Sequence, residues 1–282
     1  MFLSAALALA AAPPFAVGSD MTPFTLARPA SGRVPDPVVY RVQQELTPAR
    51  ELGLVVLTQS DVRVAVVGTN ADGSRVWRAE PMASVVDAWT DFGNVSAADL
   101  AGVPAPPVSR WTERADGTVV GTTLEGAPGS TASTLTSMIT GLADQLRLPP
   151  PDRPVAVGGS WTRQRVFDVE LPVDDRVLRV HFGIDATYTF RGWSVVEGRR
   201  TAFIEAELQL RGEGLILDAD GATGVALWAR TGAWSWVEPA DGTLVYGLAS
   251  AELSVAVGYS GYEPARDDVT RVRLSLARVD GG

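Results

Sequence analysis

Few side chains in this chain could do chemistry, and their types narrow the choice. There is one His, His181, and no Cys, so there can be no thiol nucleophile and no His-rich catalytic metal site. All 24 basic side chains are arginine, which removes a P-loop lysine, a Schiff-base lysine and a Ser-Lys dyad. His181 could serve as the base of a Ser-His-Asp triad, with Asp185 on the same strand face as its orienting acid. No serine, however, sits in the Gly-x-Ser-x-Gly frame such a triad would use. His181 is therefore expected to be a polar residue on the wet face of a strand, beside Arg179.

Two carboxylate arrangements deserve the same weighing. Glu205 and Glu207 share a face, but glycosidase acids come from separate elements flanking a cleft, and charges at i, i+2 are what a solvated strand face carries. Asp218-Ala219-Asp220-Gly221 begins like a calcium loop yet lacks the further ligands and closing Glu, so it reads as a hairpin turn. No catalytic residue, metal or cofactor is expected. The remaining candidates are aromatic: Trp228, Trp234 and Trp236 share one parity and could form a platform for a sugar ring or acyl chain. Phe182 and Tyr188, on the apolar face of the strand over 178–190, complete the candidate ligand-binding set.

The elements that must position these residues are strands. Leu178, Val180, Phe182, Ile184, Ala186, Tyr188 and Phe190 alternate with Arg179, His181, Asp185, Thr187, Thr189 and Arg191, giving one buried and one wet face. The same alternation recurs over 202–210, and shorter strands are expected at 215–217, 225–230, 233–237, 243–248, 252–259 and 269–277. Upstream, strands are expected over 36–46, 52–59, 61–68 and around Val76 and Trp77. A hairpin over 110–113 and 119–123 should turn at Asp116-Gly117, with Asn70-Ala71-Asp72-Gly73 as a further turn. Val85, Val86, Trp89 and Phe92 suggest a short helix. Leu135, Met138, Ile139, Leu142 and Leu146, at offsets of three and four, suggest another over about 134–146. Pro149, Pro150, Pro151 and Pro154 then force a stiff extended connector.

Strands joined by short turns make a mostly antiparallel sheet. A sheet of this size must curl, split or be capped. The expected fold is mainly β: a large curved antiparallel sheet or half-barrel with one or two capping helices, the alternative being a two-layer β-sandwich. The expected division is a signal peptide over 1–19, an N-terminal β half over 20–148 with its capping helix near 134–146, and a C-terminal antiparallel β half over 149–282, the alternative being one domain continuous across both halves. The leader reading rests on the apolar run 2–12, Pro13-Pro14 and small residues up to Ser19. It implies a periplasmic or secreted bacterial protein. A net charge of -9 argues against a nucleic-acid partner, and none is expected.

The segment Pro-Val-Ala-Val-Gly-Gly-Ser-Trp over 154–161, preceded by a stretch ending in Leu-Pro and followed by strands reaching Ile204, resembles one in uncharacterised exported bacterial β proteins. These are similar to the lipoprotein-carrier half-barrels, in which a curved sheet and capping helices enclose an apolar cavity. The resemblance implies a lipid or acyl-chain ligand held without catalysis. The arginine that gates the carrier's cavity has no counterpart at any position here. Beside this reading stand a fully packed structural or interaction module meeting an envelope partner, an outer-membrane β-barrel, and a carboxylate-based hydrolase.

Overall fold

A computed structural model of the chain describes residues 13–26, 36–47, 55–90, 93–94, 108–114, 119–125, 148–173, 176–218, 221–257 and 269–279. Twelve strands lie within them: β1 (Val38–Thr47), β2 (Val55–Thr69), β3 (Arg75–Thr90), β4 (Gly93–Asn94), β5 (Val108–Glu113), β6 (Val119–Glu125), β7 (Ser160–Val173), β8 (Arg176–Val196), β9 (Arg199–Asp218), β10 (Gly221–Val237), β11 (Leu244–Val257) and β12 (Val269–Val279). They form one sheet in the order β6-β5-β3-β2-β1-β12-β11-β10-β9-β8-β7, with β4 attached to β3. Every pairing is antiparallel. The ladder joins the two parts of the chain through β1 and β12, where Val39 faces Val279 and Leu46 faces Val272.

The order fixes how the two ends of the sheet relate. Eleven strands on one antiparallel path leave the end strands, β6 and β7, pointing the same way. They cannot be joined by a tight turn, and parallel neighbours need a long crossover. The chain supplies one, residues 126–159, of which 148–159 are described. The sheet curls until Cα atoms of β6 and β7 come within 8 Å of one another, yet among the described residues no ladder joins them.

The curl defines an inside. The largest core cluster joins residues of strands that are not neighbours in the ladder, with Tyr40, Val62 and Trp77 packed in the same body as Tyr188, Phe190, Ile204 and Leu276. A second cluster continues along the inner face of β8 to β11, with Leu178, Val180, Phe182, Leu210, Val225, Leu227 and Leu253. The alternation expected for β8 is present: Leu178, Val180, Phe182, Ala186, Tyr188 and Phe190 are buried, whereas Arg179, His181, Asp185 and Thr187 are exposed.

Several expected boundaries are corrected. The separate runs 52–59 and 61–68 are one strand, β2, as are 225–230 with 233–237 (β10) and 243–248 with 252–259 (β11). The short helix expected around Val85, Val86 and Trp89 is instead the second half of β3, laddered to β2 from Trp89 opposite Val55 to Arg75 opposite Thr69. No helix is present among the described residues. The expected capping helix at 134–146 and the turn at Asp116-Gly117 lie outside them, as do residues 1–12 of the expected leader.

Candidate functional site

The polar candidates all sit on the outer face, in solvent. His181 Nδ1 lies 2.7 Å from Asp168 Oδ1, its direct cross-strand neighbour on β7, and both side chains are largely exposed. Asp185, expected as the orienting acid, instead accepts a hydrogen bond from Gln164 Nε2 at 2.8 Å. Glu205 is engaged by the Arg191 guanidinium and by Trp234 Nε1 at 3.4 Å, while Glu207 faces solvent. Asp218 and Gly221 form the last paired rung of the β9–β10 hairpin, as expected for a turn; Ala219 and Asp220 lie outside the described residues. Among the described residues no group of three His, Asp or Glu side chains could hold a metal ion.

The five aromatic candidates are divided between the two faces of the sheet. Trp234 and Trp236 belong to a third cluster with Val196, Phe203 and Val245, on the face opposite the main core. Trp236 stacks on Phe203 at a ring-centroid distance of 4.7 Å, and Trp234 stands edge-on to Phe203 at 6.2 Å. Trp228 shares their parity further along β10, opposite Arg211 and Ser254, and is half-buried. Phe182 and Tyr188 point inward, Phe182 into the second cluster and Tyr188 into the first. A single platform of all five does not exist.

The outer aromatic cluster is covered by the chain itself. The Phe15 ring meets Trp236 at 5.3 Å and Tyr246 at 5.2 Å, both edge-to-face. The segment it belongs to, residues 13–26, runs along the sheet and is bonded to it. Gly18 N donates to Trp193 O at 2.7 Å, Trp193 Nε1 donates to Thr22 O at 2.7 Å, and Phe24 exchanges two backbone hydrogen bonds with Val155. Phe24 is fully buried against Trp161, Phe190 and Trp193. Asp20 pairs with Arg200 at 2.7 Å, and the Arg200 guanidinium lies 3.6 Å above the Trp193 ring. Sequence reasoning missed this segment because it took residues 13–19 as the tail of a leader and assigned no element to 20–26. The signal was available in Phe15, Phe24 and Leu26, apolar residues lying beyond the run itself.

The inner face holds a second feature that periodicity did not announce. On β7 the inward parity carries Trp161, Arg163 and Arg165, opposite Tyr188, Ala186 and Ile184. Trp161 stacks on Tyr188 at 5.4 Å and donates from Nε1 to Pro149 O. Arg163 is tied to Asp152 and to the Pro150 carbonyl. Arg165 is half-buried, and the loss of water lowers its pKa from the ordinary arginine value; the fuller burial of Tyr188 pushes its hydroxyl up to about 12. The strand at one end of the sheet thus carries inward cations above an apolar floor. No family model matches the chain and no curated protein is significantly similar to it, so the site rests on its geometry alone.

Proposed function

We propose that this chain is an exported, non-catalytic bacterial β protein whose curled sheet forms a half-barrel, and that its concave face holds an apolar ligand or envelope component such as an acyl chain. The observation that carries this is the polarity of the long strands. Along β8 to β11 the inward residues Leu178, Val180, Phe182, Leu210, Leu227 and Leu253 are apolar, and on β8 and β9 the outward residues Arg179, His181, Asp185, Glu207 and Arg211 are charged or polar and exposed. That is the arrangement of an apolar-lined calyx in water, and the reverse of a lipid-facing barrel. The unjoined ends at β6 and β7, with Arg163 and Arg165 turned inward on β7, supply a route in and a polar rim.

The test is mass spectrometry of an organic extract from the leaderless protein, purified from a periplasm without detergent, paired with titration of a fluorescent fatty acid. A stoichiometric lipid, or saturable uptake of the probe, is the expected result. A second reading has its own support: most inner-face residues of both large clusters are less than a tenth exposed, as in a core that fills itself. An empty extract together with no probe binding would leave that reading, an envelope interaction module, in its place.

A further inference from the structure

Tyr188 is 7% exposed, turns its ring into the main core and stacks on Trp161, yet its hydroxyl makes no hydrogen bond to any described residue. A buried donor without a partner is destabilising and calls for an explanation. Arg165, turned inward on β7 and half-buried, lies close enough for its charge to act on that hydroxyl. On the ladder Arg165 faces Ile184. Between Ile184 and Tyr188, on the same face of β8, stands Ala186, whose methyl takes up little of the space between guanidinium and hydroxyl. Arg163, opposite Ala186, is drawn instead to Asp152 and the Pro150 carbonyl.

From Tyr188 a strip of small side chains crosses the sheet. Tyr188 faces Ala206, Ala206 faces Ala233 and Ala233 faces Ala249, one residue on each of β8 to β11 and all of them in the main core. Three adjacent strands thus bring only a methyl to this row of the inner face, with Phe190 and Ile204 in the row on one side and Leu208 in the row on the other. At roughly 4.8 Å from strand to strand, the strip from Tyr188 to Ala249 runs about 14 Å, the reach of one medium-length acyl chain. Its alanines are buried, so a chain lying along it is withdrawn from water. A row of alanines alone would mean close packing and no more. The unpartnered hydroxyl gives this row a polar end.

Resting on the reading that the concave face holds an acyl chain, we propose that the ligand is a free fatty acid, its chain laid along Ala206, Ala233 and Ala249 and its carboxylate held by the Tyr188 hydroxyl and the Arg165 guanidinium. Burial pushes the pKa of that hydroxyl up to about 12, so it stays protonated and donating at neutral pH. Burial lowers the pKa of Arg165, but an arginine remains charged there, and its five N–H donors let it hold a ligand oxygen alongside a protein partner. One guanidinium with one hydroxyl suits a planar, singly charged carboxylate. A phosphate brings more charge and more oxygens to satisfy.

The experiment loads the full chain with Nile red, a neutral apolar dye, and displaces it with dodecanoic acid, dodecanol and dodecyl phosphate in turn. The acid should displace the dye at a concentration lower than the alcohol by about tenfold or more, the effect of hydrogen bonds to a charged group. Tyr188→Phe, which keeps the ring on Trp161, and Arg165→Gln should each bring the acid's affinity down toward that of the alcohol. Without ligand, Tyr188→Phe should leave the thermal midpoint unchanged or raise it, because the lost hydroxyl has no partner. Dye uptake with equal displacement by acid and alcohol overturns the carboxylate site while leaving an apolar ligand standing. Tighter displacement by the phosphate overturns the choice of head group. A lower midpoint for Tyr188→Phe without ligand shows that the hydroxyl is bonded within the protein and overturns its role. No dye uptake and no binding of any of the three compounds overturns the acyl-chain reading itself, and this inference with it.

Discussion

At Gly214 the backbones of β8 and β9 approach so closely that an added Cβ would collide with the Arg179 carbonyl oxygen, and at Gly212 it would lie 2.7 Å from the Phe182 ring. These glycines let β9 press against β8 where the sheet bends. Gly214→Ala must push two backbones apart and should cost about 1–3 kcal/mol, the range of overpacking, seen as a lower urea midpoint at unchanged slope. An unchanged midpoint would mean that the strands are not in this register. Asp20 offers a test by pH. Its carboxylate accepts hydrogen bonds from Thr22 and Arg200, which lower its pKa from 3.8 to about 2. A carboxyl depressed in the folded state contributes stability above its unfolded pKa, and that contribution disappears as pH falls through the folded value. Asp20→Asn should therefore melt below the natural protein at neutral pH, with the gap closing as both approach about pH 2. A gap independent of pH would show that the pair contributes nothing through ionisation. Parity in the sequence does place Trp234 with Trp236, and Phe182 with Tyr188. It cannot say which set faces inward, because β10 is apolar on both sides: Leu227, Ala233 and Val237 on one, Ala226, Trp234 and Trp236 on the other.

At the scale of elements, the long alternations over 176–196 and 199–218 are readable because each has one wet face. The errors fall where that contrast fades. Ser60, Gly232 and Ser250 look like breaks between strands, yet each sits inside a continuous ladder, Ser60 opposite both Val42 and Ser84. A small residue in a central strand is held by its neighbours on both sides, so local propensity yields to the ladder. In the second half of β3, Met82 and Val85 are exposed, so no burial period was there to mark a strand, and chance spacing imitated a helix. Turns were more legible, since they depend on local chemistry. The β8–β9 connection, Glu197-Gly198, is a two-residue hairpin closed by Val196 and Arg199, with φ of 50° at Glu197 and 76° at Gly198. Both central residues of such a turn need positive φ, which Asn tolerates and Glu does not. Glu197→Asn should stabilise the protein by up to about 1 kcal/mol, measured as a raised thermal midpoint, because the left-handed conformation costs an ordinary side chain roughly that much. A fall in the midpoint would mean that the Glu197 side chain makes a contact worth more than the strain.

The whole molecule depends on a pairing that no local pattern reveals. β1 and β12 come from opposite ends of the chain, yet Val39 faces Val279, Arg273 reaches Glu45 at 3.4 Å, and Glu238 pairs with both Arg199 and Arg278. The proline-rich stretch at 149–154 reads in the sequence as a boundary between halves. In the fold it lies on the crossover between the two ends of one sheet, and Val155 is paired with Phe24. Buried residues from both sides of that stretch share one core, so removing either set would expose the other. Two halves with separate cores would unfold separately, whereas a sheet with a shared core should unfold as a unit. Hydrogen-exchange mass spectrometry across a urea series distinguishes these outcomes. Peptides from β2 and β3 should lose protection at the same urea concentration as peptides from β8 and β9, and deleting β12 should collapse protection in both regions together. If β8 and β9 stayed protected after β2 and β3 had opened, the β1–β12 ladder would be only a seam between independent units. The proposed apolar-ligand site would then have to be sought within β7 to β11 alone.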